Sequence, residues 1–237
     1  MKVTMIGHST VLIEAAGTKI LTDPYFGTWG NLAYKRLAPP SKTSEQMEAV
    51  DLVLVSHNHW DHTDSGYFRA LAAGVPVVAP RAAAWITRVK GAKNVVGLAR
   101  WEQRQFGPVA VTSTPALHMG LPGGFVIDAE GKHVYFAGDT YFAGFMTEIA
   151  AKFRLDLALM PVTNFHIPMT MGERSAVRAV EALQPRTVIP IHLGIAPRSP
   201  LGRTGQTPEG FARRVSAAGL QTEVVILREG ESWTGQD

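Results

Sequence analysis

The chain has 237 residues, 46% of them hydrophobic and 18% charged, with a net charge of +3. That length and balance suit one α/β domain spanning residues 1–237. They exclude a membrane-spanning helix, since no apolar run approaches the roughly 18 residues one needs, and with no cysteine they exclude a disulfide framework, a thiolate nucleophile and any Cys-ligated metal. The opening MKVTMIGHST lacks the apolar stretch of a signal peptide, so a cytoplasmic protein is the expectation. The basic residues are scattered, which does not point to nucleic acid as a partner. A homo-oligomer is neither required nor excluded.

The chain opens with strands over Val3–Ile6, Val11–Ile13 and Lys19–Thr22, short β-branched runs separated by turn residues. Residues Asp23–Ser41 are Gly/Pro-punctuated and aromatic and read as irregular. Thr43 with Gln46 forms a capping box for a short helix. Leu52–Val55 is a continuous apolar run, the pattern of a strand covered on both faces. Helix Ser65–Ala73, strand Val75–Ala79, helix Ala82–Lys90 and strand Asn94–Val96 then alternate, followed by strand Val109–Ser113 and a hairpin of Phe125–Asp128 with His133–Phe136. The second half repeats the habit. Helix Gly144–Phe153 and strand Leu155–Met160 precede a helix that a Thr170/Glu173 capping box opens and Leu183 ends. Strand Thr187–Ile191, helix Pro208–Ala218 and strand Glu223–Leu227 close the chain. Such alternation predicts a layered α/β domain.

The chemistry gathers behind the strands. Residues 56–62 read SHNHWDH, placing His57, His59, Asp61 and His62 just after a buried strand, where α/β folds place ligand chemistry. Neutral imidazole is the commonest protein metal ligand. Residues two apart in an extended turn point the same way, so His57 and His59 can grip one ion. Asp61 and His62 are offset towards a second. Further along, His118, Asp139 and His192 each follow a predicted strand and complete a cluster of seven ligand-type residues. A ligand set of nitrogen and oxygen without sulfur accepts zinc, manganese or iron(II), and zinc is the expectation.

The pattern His-x-His-x-Asp-His, then His, Asp and His, resembles the metallo-β-lactamase superfamily of binuclear metallohydrolases. The stretches IGHSTVLIE, KILTDP, Pro39-Pro40, SHNHWDH, AGDT and IPIHLG resemble its branch containing L-ascorbate-6-phosphate lactonase and N-acylphosphatidylethanolamine phospholipase D. The resemblance covers nearly the whole chain and implies an αββα sandwich of two mixed sheets flanked by helices. It implies two divalent ions: His57, His59 and His118 on one, Asp61, His62 and His192 on the other, with Asp139 bridging. It further implies hydrolysis of a small ester, lactone or phosphodiester, a substrate that is anionic or carries a polarised carbonyl or phosphoryl group, by attack of a hydroxide shared between the ions. The superfamily also holds nucleases and di-iron redox enzymes. The modest charge and the lack of a flavin domain stand against both.

Other residues carry open readings. Asp61 is a catalytic candidate as well as a ligand. His8, in GHST, either orients substrate or protonates a leaving group, or it is a hydrogen-bonded histidine fastening the first strand. Asp23 either holds a ligand imidazole by its free N–H or makes an Asp-Pro turn. His166 departs from the resembled branch and either lines the pocket or sits on the surface. His133 is expected to face solvent. The segment Tyr25–Arg36 is a substrate-covering loop, a lipid-facing patch or a small satellite core. Arg198 and Arg203 either bind a phosphate or carboxylate or are solvated loop residues.

Overall fold

Strands covered on both faces need apolar side chains at consecutive positions, and Leu52–Val55 shows what that achieves. Leu52 and Leu54 face the centre of the molecule, and Val53 and Val55 face a helical layer. The computed structural model describes residues 1–47 and 49–235. The first sheet combines β1 (Lys2–Gly7), β2 (Thr10–Ala15), β3 (Thr18–Thr22), β5 (Leu52–Leu54), β6 (Pro76–Pro80), β7 (Asn94–Leu98) and β16 (Ser232–Thr234), in the order β16-β1-β2-β3-β5-β6-β7. Its first half is an antiparallel meander and its second half is parallel. The other sheet has the same plan. It combines β8 (Gln103–Phe106), β9 (Val109–Thr114), β10 (Gly124–Ala129), β11 (Lys132–Phe136), β12 (Leu155–Pro161), β13 (Thr187–Ile191) and β15 (Glu223–Val224), in the order β15-β13-β12-β11-β10-β9-β8.

The two sheets pack face to face through residues such as Ile13, Ile20 and Leu54 from one and Phe125, Leu157 and Ile189 from the other. Tyr67 and Phe68 of α1 (Ser65–Ala70) cover the outside of the first sheet, beside α2 (Ala84–Val89). The second sheet is covered by α3 (Phe145–Lys152), α4 (Glu173–Leu183) and α5 (Pro208–Ala217), which bury Ile149, Val180 and Phe211 against Val126, Ala158 and Val188. The result is the expected αββα sandwich. No helix among the described residues is long and apolar enough to cross a membrane.

Four strands were not legible in advance. Tyr34–Arg36 (β4), inside the segment expected to be irregular, pairs antiparallel with Ile195–Pro197 (β14). Each strand is only three residues long, and its partner lies far away in the chain, so no local alternation reveals it. β8 is the polar run QRQF at a sheet edge, largely exposed, and β16 is an equally polar edge strand. The last predicted strand shortens to Glu223–Val224, and the first helix ends at Ala70.

The Thr170/Glu173 capping box is replaced by a different cap. Gly172 precedes α4, its N–H donating to Ser175 Oγ at 3.0 Å, while Thr170 Oγ1 donates to Thr163 O. Glu173 instead ties two helices together. Its Oε2 accepts from Arg214 Nε at 2.7 Å, and its Oε1 accepts from the Thr207 N–H at 2.8 Å, next to the start of α5. Glu173→Ala should therefore lower stability by about 1–3 kcal/mol, the range for unpairing a largely buried hydrogen-bonding group. Urea unfolding checks the value, and a second substitution, Arg214→Ala, should add little on top of it.

Candidate metal centre

Every candidate ligand sits where a strand ends. His57, His59, Asp61 and His62 follow β5, and His118, Asp139 and His192 follow β9, β11 and β13. His8 follows β1 and Asp23 follows β3. The two sheets thus deliver their carboxyl ends to one edge of the sandwich. The turns there are strained. His8, Asp23 and His192 have φ values of 62°, 33° and 63°, in the left-handed region that non-glycine residues rarely adopt, a type of strain that clusters at functional sites. Gly138, just before Asp139, has φ +57°, and a Cβ there would collide with Ser56, so only glycine lets the Asp139 turn lie against the His57 turn.

Two groups converge. His57 Nε2 lies 3.0 Å from His59 Nδ1, which lies 3.2 Å from His118 Nε2. Asp61, His62 and His192 gather beside them, with Asp61 Oδ2 4.0 Å from both His62 Nε2 and His192 Nε2. Asp139 stands between. Its Oδ2 is 3.9 Å from His57 Nε2, 3.7 Å from His118 Nε2, 3.4 Å from His62 Nε2 and 3.2 Å from His192 Nε2. Three imidazole nitrogens facing one another at such spacing make poor partners for one another. They suit one cation bound at ~2.0–2.1 Å, whose tetrahedral ligands stand roughly 3.3 Å apart. His62 Nε2 and Asp139 Oδ1 are buried and have no hydrogen-bond partner. These donors fit metal.

The hydrogen bonds behind the imidazoles decide which nitrogen is free. Asp23 is completely buried; its Oδ1 accepts from the Ser56 N–H at 2.7 Å, and its Oδ2 accepts from Ser56 Oγ at 2.6 Å and from His62 Nδ1 at 2.6 Å. The Ser56 hydroxyl gives its proton to Asp23 and so accepts from His57 Nδ1 at 2.9 Å. One carboxylate therefore fixes the tautomer of His57 through a serine, with its Nε2 lone pair aimed at the cluster, and engages Nδ1–H of His62 directly, so that a cation would displace the proton on its Nε2. Ser56 was not singled out in the sequence, although its place beside His57 is the signal that could have found it.

His8 behaves differently. Its Nδ1 accepts from the Gly194 N–H at 3.2 Å, so the neutral ring carries its proton on Nε2, which faces Asp61 Oδ2 at 3.4 Å. The ring is fully buried and leans on His192, with centroids 4.2 Å apart. The His192 N–H donates to His8 O at 3.1 Å.

Burial lowers the pKa of His57, His59 and His118 below the ordinary histidine value, which keeps them neutral and able to donate lone pairs. Burial, with His192 beside it, lowers His8 to about 3. Burial works against charge on His62, but Asp139, Asp23 and Asp61 outweigh it and hold its pKa well above normal. Burial likewise disfavours ionised Asp61 and Asp139, and the surrounding histidines outweigh it, holding both below the carboxylate range.

The remaining candidates lie outside this cluster. His166 is exposed, and its N–H donates to Gly202 O. His133, expected to face solvent, is half-buried against the Phe153 ring. Arg198 donates through Nε to Asn31 O and stacks on Trp29, and Arg203 donates through Nε to Pro197 O. Tyr25 is buried beneath the Arg36 guanidinium, 4.6 Å from its ring centroid, while Trp29 and Leu32 are exposed. Between cluster and solvent, Tyr34, Trp60, Phe165, Met169 and Ile195 line a cavity of about 50 Å³ whose floor is His59, Asp61, Asp139 and His192. Tyr34 belongs to the Tyr25–Arg36 segment for which a substrate-covering loop was one reading, whereas Trp60, Phe165 and Ile195 were not singled out, since the unpredicted β4–β14 pair brings Tyr34 and Ile195 together.

The family model described as the beta-lactamase superfamily domain matches residues 18–193. A metal-dependent hydrolase of Pelotomaculum thermopropionicum is 37% identical, over 98% of this chain and 99% of its own. One of Archaeoglobus fulgidus is 31% identical over 98% of both. Among solved structures, a metallohydrolase from the hyperthermophilic archaeon Ignicoccus hospitalis superimposes with a TM-score of 0.80 at 26% identity, covering 98% of this chain and 97% of its own.

The Asp23 network generates a prediction. Asp23→Ala should lower metal affinity by about 10–100-fold, the usual effect of removing a group that holds a ligand imidazole. Competition against a chromophoric chelator measures it, and Ser56→Ala should show a smaller loss.

Proposed function

Because the chain belongs to the metallo-β-lactamase superfamily and is a metal-dependent hydrolase of that family, we propose that it works with two metal ions on a small ester, lactone or phosphodiester. His57, His59 and His118 would hold one ion and Asp61, His62 and His192 the other, with Asp139 placed to serve both. The observation that carries this reading is Asp139 Oδ2, a single carboxylate oxygen within 3.9 Å of imidazoles from both groups. Divalent ions, zinc first and manganese or iron as alternatives, would supply Lewis acidity and a water pKa near 7.

The protein's own groups do the rest. Trp60 and Phe165 shelter the reacting centre from bulk water, which strengthens every electrostatic interaction beneath them. Asp61, kept ionised by His62, His8 and His192, serves as ligand and as the carboxylate that orients water over the site. His8 is a positioning residue in this reading: its Nε2 faces Asp61 Oδ2 at 3.4 Å and its ring packs on His192.

Elemental analysis of protein reconstituted with zinc or manganese should approach two equivalents per chain, and a ceiling of one would refute the pair. Asp139→Asn should abolish most turnover, by at least ~10²-fold, while the thermal unfolding transition remains cooperative. Full turnover in that variant would refute the bridge.

His8 separates by a pair of variants. His8→Ala should lower kcat/KM by roughly 10²-fold, the lower end for acid–base groups, and destabilise the fold by about 1–3 kcal/mol because the Gly194 N–H loses its acceptor. His8→Asn keeps an oxygen where Nδ1 was. It should recover the melting temperature without recovering kcat/KM.

A further inference from the structure

Among the described residues, the cavity over the cluster has no Lys or Arg in its lining. Its walls are Tyr34, Trp60, Phe165, Met169 and Ile195. Tyr34 packs against Phe165 at 5.5 Å and lies 6.5 Å from Trp60 between ring centroids, so the three rings form a continuous wall. At His192, Phe165 and Ile195 this cavity meets a larger cleft of about 410 Å³. One side of the cleft is apolar, made by Leu37, Phe165, Leu193, Ile195 and Ala196.

The polar residues on its other side are engaged with one another. Gln206 Oε1 accepts from the Glu173 N–H at 3.0 Å, and Gln206 Nε2 donates to Asn164 Oδ1 at 2.9 Å. Thr204 Oγ1 donates to Asn164 O at 2.7 Å. Arg203 is the only Lys or Arg among the described lining residues, exposed at the cleft's rim. Its Nε donates to Pro197 O at 3.0 Å, and Glu209 lines the same cleft.

From this lining we infer that the site takes an uncharged carboxylic ester or lactone with an apolar acyl arm, and that anionic substrates are disfavoured. The inference rests on the hydrolase reading above and narrows it. A carboxylate or phosphate on the part of the acyl arm that lies in the aromatic cavity would lose its hydration against aromatic faces, whose quadrupoles repel anions, and no Lys or Arg among that cavity's described lining residues replaces the lost water. An apolar arm gains by leaving water along the same path. A phosphodiester carries a charge at the reacting group itself and brings two further oxygens into the aromatic wall.

In the reaction, the oxygen of one water molecule bonds to the carbonyl carbon. The bond from that carbon to the alkoxy oxygen breaks, its electron pair leaves with the alkoxy oxygen, and that oxygen takes one proton from the water. The products are one alcohol and one carboxylic acid, and no other reactant is required.

Two esters with the same leaving group and chain length test the inference: 4-nitrophenyl hexanoate and mono-4-nitrophenyl adipate, whose acyl arm ends in a carboxylate. On the metal-reconstituted full chain, kcat/KM should favour the hexanoate by roughly tenfold or more, since an unpaired buried polar group is rejected far more strongly than a methylene. Phe165→Ala should raise KM for the hexanoate and shrink that preference. Equal or better use of the adipate would overturn the inference and leave the hydrolase reading intact. If neither ester turns over, the proposal of ester hydrolysis fails while the family assignment stands, and calorimetry decides the preference for an uncharged arm separately. Hexananilide should then bind more tightly than adipic acid monoanilide. Tighter binding of the carboxylated anilide, or binding of neither, would overturn it.

Discussion

The buried Asp23 carboxylate is the constraint on which the rest of the site depends. It has no solvent exposure, and an unpaired charge in such a place costs far more than a fold can spare. Its neighbours remove that cost. Two protons from Ser56 and one from His62 saturate it at 2.6–2.7 Å, and in doing so they lock the end of β3 to the end of β5. The same bonds dictate that His57 and His62 present Nε2 towards the cluster. A single acid thus sets the proton order on both sides of Asp139. Burial raises the pKa of Asp23 above the ordinary value and the contacts with His62 and Ser56 offset only part of that rise, so its charge depends on the imidazoles that it positions.

This proton order also explains why adjacent histidines differ in role. His62 donates its Nδ1–H to a carboxylate, so its Nε2 is the nitrogen a cation would take. His8 accepts a hydrogen bond at Nδ1 from the Gly194 N–H and so carries its own proton on Nε2. Although His8 lies within ligand distance of Asp61, His62 and His192, its available nitrogen is a donor, and its natural partner is the Asp61 oxygen it faces. Identical side chains in one cluster are differentiated by the group behind each ring.

Much of this was visible in the sequence because it is local. SHNHWDH puts four ligand-type residues on a single turn, and β5, β12 and β13 announce themselves as apolar runs long enough to be buried on both faces. His118, Asp139 and His192 were legible because each lies a few residues past such a strand. What was not legible depends on distant pairing. Tyr34–Arg36 becomes a strand only because Ile195–Pro197 lies beside it, and Glu173 looked like a cap until the fold brought Arg214 and Thr207 to it. His8 could be placed near the centre by its motif, but its proton position depends on Gly194, far away in the chain.

The β4–β14 pair connects these two kinds of information. β14 begins three residues after His192, so the backbone that delivers a candidate ligand continues directly into the ribbon that carries Ile195 to the cavity wall. Its partner β4 supplies Tyr34 to the same wall, and the Leu37 N–H beyond it donates to Gly194 O at 2.8 Å. Gly194 cannot be replaced cheaply, since a Cβ there would stand 2.9 Å from His8 N and 3.0 Å from its Cα. One short segment, His192 to Ile195, therefore fixes a candidate ligand, the His8 ring and the aromatic wall against one another. A change in ribbon length or sequence is transmitted to the cavity while the strands that end at the cluster stay as they are. On the proposed reading, reaction type and substrate choice rest on separate parts of the chain: the buried strand ends for the former, and the β4–β14 ribbon for the latter.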